Sequence, residues 1–148
     1  MPESATDELN VGVLMFIPYR AMEQRVFDAL AAAGYADITV AQARLVQRLG
    51  PDGTRLTLLA EQAQVTKQTA GFLVDQLERA GYVERVPDPA DGRARLVRLT
   101  ERGEAVTALA NRTVAAVEAE WREVLGERTM NQLRRALTKL REHTDPFR

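Results

Sequence analysis

The 148-residue chain has no cysteine and a single histidine, His143. The first absence excludes disulfides, thiolate metal sites and thiol-based redox sensing. The second leaves little for a zinc centre or a catalytic triad, and His143 lies near the terminus, where solvent exposure is expected. No apolar run is long enough to cross a bilayer, and no charged start with an apolar core and cleavage site opens the chain, so a cytoplasmic protein without membrane association is expected. No Gly-rich phosphate loop and no nucleophile beside a base appear. Glu23, Glu118 and Glu120 are assigned to solvated helix faces rather than to paired acid/base carboxylates. Neither an enzyme, nor a metal site, nor a cofactor is expected.

What is present points to a folded chain. Hydrophobic residues make up 45 % of it, and its length suits one domain with a real core, 1–148, rather than two. Lysine and arginine (20) nearly balance aspartate and glutamate (21), for a formal net charge of −1. A balanced total averages away local fields, so distribution decides. Arg93, Arg95 and Arg98 fall within one segment, D-P-A-D-G-R-A-R-L-V-R-L-T from Asp88 to Thr100. Turn formers Pro87, Asp88, Pro89, Asp91 and Gly92 are followed by rough alternation, which predicts a hairpin. Its strands are expected over Tyr82 to Val86 and Arg95 to Leu99, with the tip near Asp88 to Arg93. Asp91 and Arg93 are close enough in sequence for a carboxylate–guanidinium pair to aim the Arg93 fork.

Two short helices are predicted immediately upstream. Leu56, Leu59, Ala60 and Ala63 recur at helical spacing in the first. Thr66 is the expected N-cap of the second, whose inner face carries Ala70, Leu73, Val74 and Leu77, and Gly81 is the expected glycine past its end. Helix, tight turn, helix and basic hairpin is the winged helix-turn-helix arrangement, in which the second helix enters the DNA major groove. Lys67 opens that helix.

The outer segments are mainly helical. From about Leu9 to Ala33 a long helix is apolar on more than one side, which predicts contact with another subunit. Pro18 cannot donate to the Leu14 carbonyl, so a kink or a late start is expected there. A helix over Ile38 to Leu49 follows, broken by Gly50-Pro51-Asp52-Gly53. After the hairpin, Thr100 is the expected N-cap of a helix reaching about Leu125, roughly 37 Å long. A last helix is expected from about Glu127 to Glu142. The expected product is mainly α with a small β-hairpin wing: a winged helix-turn-helix lobe over about 38–100, and dimerisation helices over about 9–34 and 101–144. A two-fold dimer would set two recognition helices about one DNA turn, ~34 Å, apart.

The order of a long helix, I-T-V-A-Q-A-R-L-V-Q-R-L, L-A-E-Q-A-Q-V-T, L-E-R-A-G-Y-V-E-R and D-G-R-A-R-L-V-R-L-T-E-R-G closely resembles the MarR family of transcriptional regulators. The resemblance covers nearly the whole chain. Its most specific elements are Leu77-Glu78 with Gly81 and Val83, Asp91-x-Arg93, and Leu99-Thr100 with Gly103. It implies an obligate homodimer on a pseudo-palindromic double-stranded DNA operator, with Arg93 as the wing-tip contact in the minor groove and Asp91 as its orienting partner. The chain departs from the family at Gly71, where a small hydroxyl residue is common, and at Phe72, where a polar or basic residue is common.

Phosphate contacts are expected from Thr66, Gln68, Thr69, Arg93, Arg95 and Arg98, and base discrimination from Lys67, Gln68, Gly71 and Phe72. Phe72 could meet a thymine methyl group or pack against a neighbouring helix, and packing is the preferred reading. Gly71 costs roughly 1 kcal/mol of helix propensity relative to alanine; close approach to DNA and a tolerated glycine explain it equally well. Met15, Phe16, Tyr19, Met22 and Trp121 could line a pocket for a small aromatic or amphipathic effector, where the resemblance would place one. Such residues at helical spacing more often form core or dimer interface. Arg20 could hold an effector carboxylate, but an exposed ion pair is the preferred reading. The expected protein is a dimeric repressor released by an effector. The other reading is a winged-helix module that binds protein rather than an operator, which the Arg-rich wing disfavours.

Overall fold

The computed structural model describes residues 8–147. Six helices and three short strands follow one another: α1 (Val11–Ala32), α2 (Val40–Val46), β1 (Thr54–Arg55), α3 (Leu56–Ala63), α4 (Lys67–Arg79), β2 (Val83–Asp88), β3 (Asp91–Leu99), α5 (Glu101–Leu125) and α6 (Glu127–Thr144). The central lobe packs α2, α3 and α4 against a small sheet, and α1, α5 and α6 form a second layer beside it. Leu45, Leu59, Leu77, Val74, Tyr82, Val83 and Val97 make the innermost core. Each large apolar side chain taken out of water there contributes about 1.5–3 kcal/mol.

Helix ends follow their caps. The Asn10 side chain accepts from the Val13 amide at 2.9 Å and starts α1 later than the expected Leu9. The helix then runs through Pro18 as one segment to Ala32, so the proline neither delays nor ends it. In α2, Thr39 and Gln42 form a reciprocal capping box, which satisfies two amides that the first turn would otherwise leave unpaired. This helix covers Val40–Val46, shorter than the expected Ile38 to Leu49, because the cap sets its start and single-turn bonds at Arg48 and Leu49 replace the helical pattern at its end. Thr66 and Thr100 cap α4 and α5 as expected, accepting from the Thr69 amide at 3.0 Å and the Gly103 amide at 3.2 Å. Gly81 lies past α4 with φ +83°, in the left-handed region that glycine enters without a Cβ clash.

The sheet is antiparallel in the order β1-β3-β2. The hairpin strands are longer than expected, reaching Asp88 and Asp91, so that only Pro89 and Ala90 form the tip. The register shifts between Pro87 and Asp88, as an amide-less residue at a strand end allows. Strand β1 was not expected at all: Thr54 and Arg55 pair with Val97 and Leu96 and tie the base of the hairpin to the helical lobe.

Candidate nucleic-acid interface

The first turn of α4 is built to be available. Ala70 and Val74 are fully buried and Leu73 and Leu77 nearly so, which fixes the inner face of the helix. Thr66, Lys67, Gln68 and Thr69 are consequently exposed together at its N-terminus. Helix N-termini present unpaired amides and a partial positive charge, both suited to phosphate. Thr66 spends its hydroxyl oxygen on the Thr69 amide, and its hydroxyl also bonds that of Thr69 at 2.9 Å. Lys67 makes no ion pair among the described residues.

Phe72 is 58 % exposed. The preferred expectation that it packs against a neighbouring helix is therefore overturned: with Ala70 and Val74 facing inward, the same helix turns Phe72 outward. A Cβ added to Gly71 would meet the Leu56 Cδ2 at 3.8 Å, an ordinary contact. Nothing within the protomer demands glycine there.

The wing arginines divide into two kinds. Arg98 Nε donates to Glu84 Oε1 at 2.7 Å, across the register pair that β2 and β3 set. Arg93 and Arg95 are exposed and make no ion pair among the described residues. The expected pair between Asp91 and the Arg93 guanidinium does not form. Asp91 Oδ1 instead accepts from the Arg93 backbone amide at 3.0 Å, because the tight tip turns that amide toward the carboxylate two residues back. The brace for the wing is Arg55, which the sequence reading missed. Its guanidinium reaches Asp88 at 2.7 Å and lies 4.0 Å from Asp91. The Ala90 amide and then Arg55 hold the Asp88 carboxyl below its ordinary range. No local signal could reveal this pair, since 33 residues separate its members.

Arg85 was also missed. It donates from β2 to Asp75 Oδ1 at 2.8 Å and Glu78 Oε1 at 3.0 Å, cancelling two carboxylates on the flank of α4. Repulsion of an approaching phosphate is reduced accordingly.

On the other layer, α1, α5 and α6 enclose an open apolar groove of about 930 Å³. Met15, Phe16, Tyr19, Met22 and Trp121 all line it, together with Val124, Leu133 and Leu137. Arg20 is not among the lining residues. It pairs with Glu23, a residue expected on a solvated face but only 7 % exposed. Glu23 also accepts from the Tyr19 hydroxyl at 3.1 Å and the Arg44 Nε at 3.3 Å, joining α1 to α2. Burial pushes the Glu23 carboxyl up, but hydrogen bonds from Arg44, Tyr19 and Arg20 outweigh it and leave it below its ordinary value. Glu118 and Glu120 meet Arg134 and Arg25 in exposed pairs, and His143 is exposed. Among the described residues no group of three or more His, Cys, Asp or Glu could hold a metal ion, and no helix is long and apolar enough to cross a membrane.

Two helices joined by a tight turn, with the second exposed at its N-terminus beside a two-stranded wing, define a winged helix-turn-helix protein. The sequence profile of the MarR family matches residues 36–94, the stretch that holds this lobe. The MarR-family protein RV2887 of Mycobacterium tuberculosis, solved in complex with salicylic acid, is 28% identical, with 91% of this chain and 98% of that one covered and a TM-score of 0.64. Wild-type MarR from E. coli in its apo form is 24% identical over 90% of this chain and 98% of its own, with a TM-score of 0.69. A mutant of MepR from S. aureus, solved bound to an oligodeoxyribonucleotide, is 24% identical over 93% and 99%, with a TM-score of 0.59. No curated protein sequence matches the chain. Residues 36–94 thus match the MarR family of regulators, and the chain shares its fold with solved structures of that family.

Proposed function

We propose that this protein is a homodimeric transcriptional regulator that binds a double-stranded DNA operator and represses by steric exclusion of polymerase. The observation that carries the reading is the pairing of an exposed, cap-ordered helix N-terminus, Thr66 to Thr69, with a wing whose Arg93 and Arg95 are exposed and free of ion pairs among the described residues. In this reading the chain is one domain, 1–148, with its DNA-binding lobe over about 38–100 and dimerisation helices over about 9–34 and 101–144. Thr66, Gln68, Thr69, Arg93 and Arg95 contact phosphate or the minor groove, with Arg98 held to Glu84 until DNA approaches. Lys67, Gln68 and Phe72 face the bases, with Gly71 beside them, and Asp91 orders the backbone of the tip. The oligodeoxyribonucleotide on the MepR mutant supports this use of the fold.

The apolar face of α1, the end of α5 and α6 supports the dimer. Phe16, Ile17, Leu14, Val124 and Leu140 are each 46 % exposed or more, a density of apolar surface that a second copy would cover. Closing the groove would leave Met15, Phe16, Tyr19, Met22 and Trp121 around a site for a small aromatic effector, as the salicylic acid on RV2887 supports. An effector there releases DNA if it favours a dimer whose recognition-helix spacing no longer fits the groove.

The test is operator affinity at fixed salt. Arg93→Ala is expected to cost about 1–3 kcal/mol in binding while leaving the dimer intact. Unchanged affinity in the titration rejects the wing assignment.

A further inference from the structure

Phe72 occupies the sixth position of α4, two residues from both Ala70 and Val74, which are fully buried. Two residues correspond to about 200° around a helix, so its ring leaves the lobe on the side opposite the core. Gln68 lies one turn before it, and Asp75 follows one turn later, neutralised by Arg85 at 2.8 Å. The preceding helix, α3, meets this segment at Gly71, which the Leu56 side chain faces. A bare apolar ring thus stands on the face that carries Gln68, past the exposed first turn, with the Asp75 carboxylate one turn on paired to Arg85.

A phenyl ring has neither donor nor acceptor, so it cannot read the hydrogen-bonding pattern of any base edge. Among the four bases only thymine offers the major groove an apolar group, its C5 methyl. We propose that Phe72 is a specificity-determining residue that packs on the methyl group of one thymine in each half-site. The inference rests on the DNA-binding reading above and deepens it: polar side chains of the first turn choose bases by hydrogen bonds, and Phe72 adds a position chosen by apolar contact alone.

Duplexes enriched from a random pool by the full-length protein supply the site, and each thymine in it is then replaced singly by deoxyuridine, which removes only the methyl. One replacement per half-site is expected to weaken the wild type about four-fold, the worth of one methyl group taken out of water. Phe72→Ala is expected to bind the thymine and deoxyuridine duplexes equally, with the dimer and the thermal midpoint retained. The inference is overturned if no single deoxyuridine separates wild type from F72A, or if F72A changes the oligomeric state, which would place the ring in a protein contact. Enrichment without thymine sensitivity overturns this inference alone. Failure to enrich any duplex overturns the DNA-binding reading and this inference with it.

Discussion

Tyr82 shows how much one side chain can join. Its ring is 2 % exposed, its hydroxyl donates to Asp37 and accepts from Arg102 Nη2 at 2.9 Å, and the Arg102 guanidinium lies 4.6 Å from its ring and 5.0 Å from that of Tyr35. Burial, reinforced by Asp37, pushes the phenol up from 10.0 to about 12. The folded chain therefore favours the protonated phenol. That contribution is complete below pH 10.0 and is lost as pH rises toward about 12. Urea unfolding across that range is expected to show stability falling in the wild type and a flatter profile in Tyr82→Phe; parallel profiles would contradict the assignment. In the sequence Tyr82 is legible only as the start of a strand. Its partners lie 45 and 20 residues away, and no periodicity reports contacts that the fold alone brings together. The same limit hides Arg55 behind Asp88 and leaves Asp91 as the apparent brace.

Among the elements, α5 has the most constrained beginning. Thr100 caps it, and Gly103 in its first turn lies so close to the residue before β2 that an added Cβ would stand 2.1 Å from the Tyr82 carbonyl oxygen. Backbone, not a flexible side chain, blocks that position, so helix and strand must separate to admit a methyl group. Gly103→Ala is expected to destabilise by about 3 kcal/mol, despite alanine's better helix propensity. Thermal denaturation checks it, and a midpoint equal to wild type would show that the two elements can part cheaply. The cap was legible because hydroxyl and amide are three residues apart; the reason for the glycine was not, because it lies in the backbone of Tyr82, at the entry to the neighbouring strand. Helices with strong stripes, α4 above all, could be placed within a residue or two. Strand β1 escaped because two residues, Thr54 and Arg55, are too few to show alternation. The short α2 escaped its bounds because its capping box fixes the start inside the apolar pattern, while single-turn bonds replace the helix before that pattern ends.

At the scale of the whole molecule, the apolar excess on the first helix was legible before any fold was known, since one small lobe can cover only one side of it. The structure adds where the uncovered side continues, along Val124 of α5 and Leu133, Leu137 and Leu140 of α6. Phe16→Asp, on a residue 55 % exposed in the single chain, is expected to leave the protomer folded but to convert a dimer into monomers by sedimentation. Such monomers would lose most operator affinity, because two half-sites no longer bind as one. A dimer that survives the substitution would move the interface elsewhere.

The bracing of the wing bears on ionic strength. Beyond Leu96, β3 has β2 as its one paired neighbour, and the tip is steadied sideways by the Arg55–Asp88 contact, whose arginine side chain is 49 % exposed. The distal hairpin is a cantilever with a salt-sensitive strut. Added salt weakens partly exposed ion pairs and also erodes phosphate binding through counterion release. The two effects act together on one encounter. Operator affinity should therefore fall with salt more steeply than the number of phosphates touched would require. Arg55→Ala should bind less tightly at low salt and show a shallower log–log slope; equal slopes in the two proteins would show that the strut bears no part of the salt dependence.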